Sequence, residues 1–325
     1  MTNRIQTYLL NLIFSFFFLI STANADVKVV TSIKPIHSLV SFIMDGVGKP
    51  DVIIDGYNSP HNFSLKPSHA KMLENADLVI WVGEDLEAFL EKPLKTIAKK
   101  AKNIEVMDLN GIKKLAFREK NIFEGHDEHD EHDDHKEHDD HKEKDGHEEK
   151  DGHEGHAHGE HDPHVWLDPI NAKLIIKEVT KQLVQLDAKN SSVYKSNSKK
   201  ALAEIDNLIQ NIQKNISKDL RFVVFHDAYQ YFENRFGIQV LGALTVNTDV
   251  MPGAKQLSEI REVIEHEKVN CLFSEPQFNP AIIKSIAKDT NVKTGILDPL
   301  GAKLDKGKNL YFDLLKNMMT SFKGC

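Results

Sequence analysis

The sequence predicts an α/β protein of two lobes, each a mostly parallel sheet flanked by helices, joined by one long linker helix with a ligand in the interlobe cleft. Three observations carry this expectation. β-rich apolar runs alternate with helical patterns on both sides of the chain's middle, the order that builds parallel sheets. Between Asn171 and Lys218 there is neither Gly nor Pro, and apolar residues recur at helical spacing. About 300 residues follow the N-terminal segment, more than one core usually holds.

Taken in order, Met1 to Ala25 combines Arg4, an apolar stretch from Tyr8 to Ile20, and Ala23, Asn24 and Ala25 before Asp26. This is the plan of a secretory signal peptide over 1–25. The stretch is too short to span a bilayer comfortably, and nothing downstream approaches about 18 consecutive apolar residues. A soluble mature chain starting near Asp26 is expected. No Cys follows the signal to take a lipid anchor, so the expected location is a Gram-negative periplasm, without a tether.

An N-terminal lobe over 26–189 is expected to have strands at Val27 to Ile33, Val52 to Ile54, Leu78 to Val82 and Ile104 to Leu109. Helices fall between them at Ile36 to Met44, Ser68 to Asn75 and Leu86 to Ala101. Further on, Asp168 and Pro169 look like N-cap and N1 of a helix with the stripe Ala172, Ile176, Val179, Leu183 and Leu186. The next stripe, Ala201, Ile205, Leu208, Ile212 and Ile216, marks the linker helix over 190–217. The alternation then resumes in a C-terminal lobe over 218–325. Its strands are expected at Phe222 to Phe225, Val240 to Leu244, Cys271 to Phe273 and Val292 to Leu297, its helices at Ala228 to Phe236, Lys255 to Glu267, Pro280 to Lys288 and Leu310 to Phe322. Cys271 and Cys325 are the two cysteines. In an exported chain they are expected to pair, closing a loop of about 55 residues for about 4 kcal/mol in the chain-entropy model.

One stretch interrupts the first lobe. Residues 124–162 hold 18 Asp and Glu against 4 Lys, a local charge of −14, while the whole chain carries −8. The remainder is therefore about +6, and the acidity is local. Apart from Ala157 the stretch has nothing apolar to bury, so it is expected to be a mobile loop. Acidity alone does not call for His126, His129, His132, His135, His138 and His141 at every third position, followed by His147, His153, His156, His158 and His161. Imidazoles with pKa values of about 6.5 in a negative field are ready ligands for borderline divalent metals, so weak metal capture is the expectation. Nothing in this charge pattern fits a nucleic-acid partner, and a monomer is expected.

Ligands of open α/β sheets sit at the carboxyl ends of the strands, and this rule sorts the other histidines. His61 follows the strand ending at Asp55, in a turn-rich segment. His226 ends the run Phe222 to Phe225 and precedes Asp227. His164 lies between the loop and the helix capped by Asp168, and Asp298 ends the last strand. By contrast, His37, His69 and His266 fall inside helical patterns. Three imidazoles suit zinc, with a carboxylate or water completing the tetrahedron, so the fourth ligand is Asp298 or water.

The segments SPHNFSLKPSHAKMLENADLVIWVG, DPHVWLDP, VVFHDAYQYFENRFG, FSEPQFNPAIIKSIA and GILDPLG closely resemble the periplasmic zinc-binding proteins of bacterial high-affinity zinc importers, the ZnuA type of cluster A-I solute-binding proteins. The resemblance covers the mature chain, with a His- and acid-rich insertion at the same place and cysteines matching Cys271 and Cys325. It implies a two-lobed fold joined by one long helix, Zn2+ between the lobes as transported ligand, and a membrane permease with a cytoplasmic ATPase as partners. It carries zinc ligation onto His61, His164 and His226. Manganese-binding relatives have Glu where this chain has His226. Some zinc relatives have Glu before the first histidine, where this chain has Pro60.

Two other classes use similar residues. A zinc hydrolase would need three histidines, an open position and a general base; no His-Glu-x-x-His occurs, and Glu275 is the residue that can be offered as base. A metal buffer or adhesin would need only the loop.

Overall fold

The computed structural model describes residues 26–118, 120–122, 160–246, 248 and 252–325. The signal-peptide segment and the loop histidines from His126 to His158 lie outside the described residues.

The first lobe is built on strands β1 (Val29–Ile33), β2 (Asp51–Ile54), β3 (Leu78–Trp81) and β4 (Lys102–Glu105), with helices α1 (Lys34–Ile43), α2 (Pro67–Glu74) and α3 (Glu84–Thr96) between them. All neighbouring strands run parallel in the order β2-β1-β3-β4. β1 and β3 are buried throughout, which is why their sequences are continuous apolar runs rather than alternations. The largest departures from the sequence reading fall around β4. α3 stops at Thr96, and Ala101 N–H closes a turn on Ala98 before β4 begins at Lys102. β4 thus lies earlier than the run Ile104 to Leu109 indicates, because its register opposite Leu78 to Trp81 is set by β3.

Two helices follow. α4 (Pro169–Leu186) starts on Asp168, whose carboxylate accepts from Ile170 N–H at 2.8 Å, with Pro169 in the first turn. It ends where Asp187 leaves helical geometry and accepts from Asn190 and the Tyr194 hydroxyl. α5 (Ser191–Asn215) is the long linker, 25 residues or about 37 Å at 1.5 Å per residue. It packs against α1 and α4.

The second lobe repeats the plan. Strands β5 (Arg221–His226), β6 (Gln239–Thr245), β7 (Cys271–Ser274) and β8 (Lys293–Ile296) form a parallel sheet in the order β6-β5-β7-β8. Helices α6 (Gln230–Phe236), α7 (Ala254–His266) and α8 (Ala281–Thr290) lie between the strands. α6 ends on Gly237 at φ 68°, the left-handed stop that glycine adopts most readily. β5 runs one residue beyond the expected Phe225, since His226 is in register with Thr245.

The last helix, α9 (Leu310–Lys323), joins the lobes a second time. Its start reaches α1, where Tyr311 N–H donates to Ser38 Oγ at 2.9 Å and Phe312 packs on Phe42. Its end lies in the second lobe, where Phe322 meets Phe222, Phe232 and Phe273 and Cys325 is bonded to Cys271. One buried apolar cluster accordingly runs from Val29 through Ile205 to Phe322, across both lobes. A smaller cluster around Val223, Leu244 and Ile260 fills the outer face of the second sheet. Among the described residues no helix is long and apolar enough to cross a membrane.

Candidate metal centre

Three short segments converge where the lobes meet. The first follows β2. Asp55 accepts from Gly56 N–H at 2.8 Å and pairs with Lys306 at 2.8 Å, Asn58 donates to Asp55 O, and Ser59 Oγ accepts from His61 N–H. Side chains at turn positions thus hold the segment that carries His61. The second is the short 3-10 turn Val165–Leu167, which His164 introduces. Trp166 pins this turn to the other lobe by donating Nε1–H to Pro299 O at 2.8 Å. The third is the carboxyl end of β5, a central strand of its sheet, where His226 is the last residue.

The ligand atoms of His61, His164 and His226 all lie within 4.8 Å of one another. Their ring centroids are 4.9 to 5.5 Å apart. Nitrogens bound to one tetrahedral zinc stand about 3.4 Å apart, so small rotamer adjustments would gather the three rings on one ion. The space they enclose with Trp166, Glu275, Phe278 and Leu300 is about 10 Å³. Pockets for organic ligands run to about 300 Å³ or more, and a space this small holds one ion or one water. The space is thus too small for an organic solute of ordinary size.

Two rings are oriented from behind by buried carboxylates. Asp162 Oδ1 is 2.7 Å from His164 Nδ1 and also accepts from His164 N–H at 2.9 Å. Glu275 lies 3.3 Å from His226 Nδ1. With Nδ1 engaged, each ring offers Nε2 to a metal, the arrangement that fixes a ligating imidazole's tautomer and raises its basicity. The two environments shift the rings in opposite directions. Burial dominates at His164 and holds its pKa below the usual value despite Asp162. At His226 burial is again the largest influence and acts downward, but Glu275, Asp227 and Asp162 together carry the pKa above the usual value.

Asp298, the fourth candidate, does not join this group. Its Oδ1 accepts from Gln277 and from Leu300 N–H, each at 3.2 Å, so the carboxylate holds the turn after β8. Two of the three histidines set aside on the sequence have structural tasks: His37 Nε2 meets Pro50 O, and His69 Nδ1 accepts from Lys66 N–H. Of the loop histidines, His161 is described; it forms an antiparallel bridge with Ala116 and stays outside the three-ring group. Sequence reasoning missed the orienting carboxylates. Glu275 directly follows the carboxyl end of β7, so the strand-end rule would have found it; Asp162 was hidden among the acids of the loop.

Two parallel-sheet lobes bridged by a long helix, with imidazoles from both lobes meeting at an ion-sized space, define a two-lobed metal-binding solute-binding protein. Residues 29–325 match the family model of the periplasmic component A of a zinc-uptake complex, and the chain belongs to that family, the ZnuA family. It is 44% identical over 311 residues to the high-affinity zinc uptake system protein ZnuA of Brucella abortus (strain 2308), covering 94% of this chain and 93% of that one. The same-named protein of Haemophilus influenzae is 42% identical over 324 residues, covering 93% of each chain. A crystal structure of a ZnuA superposes with a TM-score of 0.70 at 21% identity, over 91% of this chain and 99% of that one. A laminin-binding adhesin mutant from Streptococcus agalactiae shares the fold with a TM-score of 0.69 at 23% identity, over 91% and 99% of the two chains. The family is periplasmic, and its members are transport components and not enzymes, which sets the hydrolase alternative aside.

Proposed function

We propose that the chain binds one Zn2+ between its lobes with His61, His164 and His226 and delivers it to the permease of an ABC-type zinc importer driven by a cytoplasmic ATPase. The observation that carries this reading is the convergence of three imidazoles within 4.8 Å around an ion-sized space. Family membership supplies the delivery step. Three nitrogen ligands with no carboxylate among them favour zinc over manganese, which prefers oxygen. Water takes the fourth position, since Asp298 stands outside the three-imidazole group and its Oδ1 is engaged with Gln277 and Leu300.

The expected division of the chain follows: signal peptide 1–25, first lobe 26–189 with the metal-capturing loop 124–162, linker helix 190–217, second lobe 218–325. The test is competition titration of zinc against a chromophoric chelator for His61→Ala, His164→Ala and His226→Ala, each with residues 125–159 removed to clear background sites. Each variant loses affinity by orders of magnitude. Unchanged affinity in any of the three removes that residue from the site.

A further inference from the structure

Where the chain leaves the first lobe toward the His-rich stretch, it crosses onto the second lobe and is bound there at several points. Lys113 is held to the first lobe by Asn171, whose side chain meets both its N–H and its C=O. Leu115 N–H then donates to the Tyr231 hydroxyl on α6 at 3.0 Å. Arg118 places Nη1 at 2.9 Å from Asp227 Oδ1 and 3.1 Å from Glu233 Oε1, and Nη2 at 3.1 Å from Glu233 Oε2. Asp227 and Glu233 are both buried. Asn121 O accepts from Ala243 N–H at 2.8 Å, its side-chain amide donates to Ala243 O and Leu244 O, and Ile122 bridges Gly242 on β6. A Cβ on Gly242 would stand 2.8 Å from Asn121 O, so this backbone-to-backbone approach requires glycine there.

The returning stem is fixed at the same place. Ala116 pairs with His161, Asp162 N–H donates to Leu115 O at 2.9 Å, and the Tyr231 hydroxyl donates to Asp162 O at 2.7 Å. Each stem therefore carries a residue that reaches one of the three imidazoles, one directly and one through its neighbour. Asp162 holds His164 directly; Arg118 holds Asp227, whose backbone continues from His226.

We propose that Arg118 and Asn121 form an interlobe strap that positions His226 against His61 and His164. The inference rests on the cleft being the zinc site. His61 and His164 come from one lobe and His226 from the other, and a metal shell works only when its ligands are held to about 0.5 Å. Arg118 is a positioning residue: its fork neutralises two buried carboxylates behind β5 and couples them to a segment rooted in the first lobe. Losing it frees His226 to move with its own lobe, and bound zinc escapes faster.

The experiment uses the full chain, with zinc competition against a chelator and the ligand-field absorption of the first equivalent of cobalt. Arg118→Gln and Gly242→Ala are expected to weaken cleft binding by about 10- to 100-fold, the usual size of an outer-shell loss. Both also lower the intensity of the tetrahedral cobalt band, while Arg118→Lys recovers part of the affinity by keeping the charge. Gly242→Ala leaves every charged group in place, so it carries the test if Arg118→Gln does not fold, and Asn121→Ala supports it. His226→Ala is the control for the site itself. If that control loses the cleft ion while Arg118→Gln and Gly242→Ala keep wild-type affinity and cobalt spectrum, the strap proposal is overturned. If the control leaves binding intact, the site assignment fails instead.

Discussion

Arg235 and Asp168 meet fork to fork across the lobes, with Nε 2.7 Å from Oδ1 and Nη2 2.7 Å from Oδ2. The same Asp168 caps α4, three residues after Val165 and close behind His164, so one carboxylate both starts a helix and ties α6 to it. Asp168 is buried and Arg235 about a third exposed. Replacing Arg235 with Gln takes from a buried carboxylate its charge partner and two of its three hydrogen bonds, and is expected to cost about 2–4 kcal/mol. Urea unfolding of the zinc-free variant measures it; a loss under 1 kcal/mol would show that the pair is screened as at an open surface.

Asp162→Asn keeps the shape behind His164 and removes the charge. The imidazole then loses the partner that fixes its tautomer and raises its basicity. Zinc affinity is expected to fall by about 10- to 100-fold with little change in unfolding free energy in the absence of metal. Chelator competition together with thermal unfolding separates the two effects, and an unchanged affinity would reduce Asp162 to a loop anchor.

Acid should release the cleft ion. A ligating imidazole must be neutral, and His226, raised by Glu275, is protonated at a higher pH than an ordinary histidine, whereas His164, depressed by burial, resists protonation. Zinc affinity thus begins to fall while pH is still above the usual histidine value, by about tenfold per pH unit for each proton displaced. Linkage in the metal-free chain has opposite signs at the two sites. The raised His226 contributes stability that is present in acid and lost as pH rises through its folded pKa; the depressed His164 costs stability as pH falls below its unfolded value. Glu275→Gln should shift the onset of zinc release to lower pH. A release curve that is identical in wild type and Glu275→Gln would mean the Glu275 contact does not govern His226.

Cys271 opens β7 and Cys325 lies just beyond α9, with Cα atoms 5.8 Å apart and a sequence separation of 54. The bond holds Phe322 in the cluster with Phe222 and Phe273. Replacing both cysteines with Ala is expected to lower stability by about 2–4 kcal/mol in urea, since the constraint on the unfolded chain is removed. Retained stability would show that Phe322 packing alone keeps α9 in place.

Removing Gly125 to Gly159 spares Arg118, Asn121, His161 and Asp162. The cleft should keep its affinity, and cells should grow normally in zinc-rich medium but poorly under chelation, because a tethered cluster of imidazoles raises the local zinc supply only when free zinc is scarce. Growth and radioactive zinc uptake test this; indifference to severe chelation would remove the capture role.

Much of the fold can be read from local sequence. Apolar runs such as Leu78 to Trp81 and Phe222 to Phe225 have one regular solution in a buried parallel sheet, and Asp168-Pro169 announces α4 by cap chemistry alone. Element ends are equally local, which is why the sequence places His61, His164 and His226 at such ends and His37 and His69 inside helices. The cysteine pairing rested on export and count, and the structure bears it out.

What tertiary structure alone decided is which of those strand-end groups share a point in space. Asp298 and Glu275 both follow strands of one sheet, and no spacing rule distinguishes them; only the β5-β7 pairing sets Glu275 beside His226, while the β8 edge and the turn at Leu300 take Asp298 away. The strap was invisible for the same reason. Arg118 lies in a short stretch with no helical or strand periodicity, and its partners Asp227 and Glu233 are more than a hundred positions away. Periodicity and caps are short-range consequences of one segment's own geometry, whereas a binding site is a coincidence of several segments, and that coincidence is fixed by how the lobes pack.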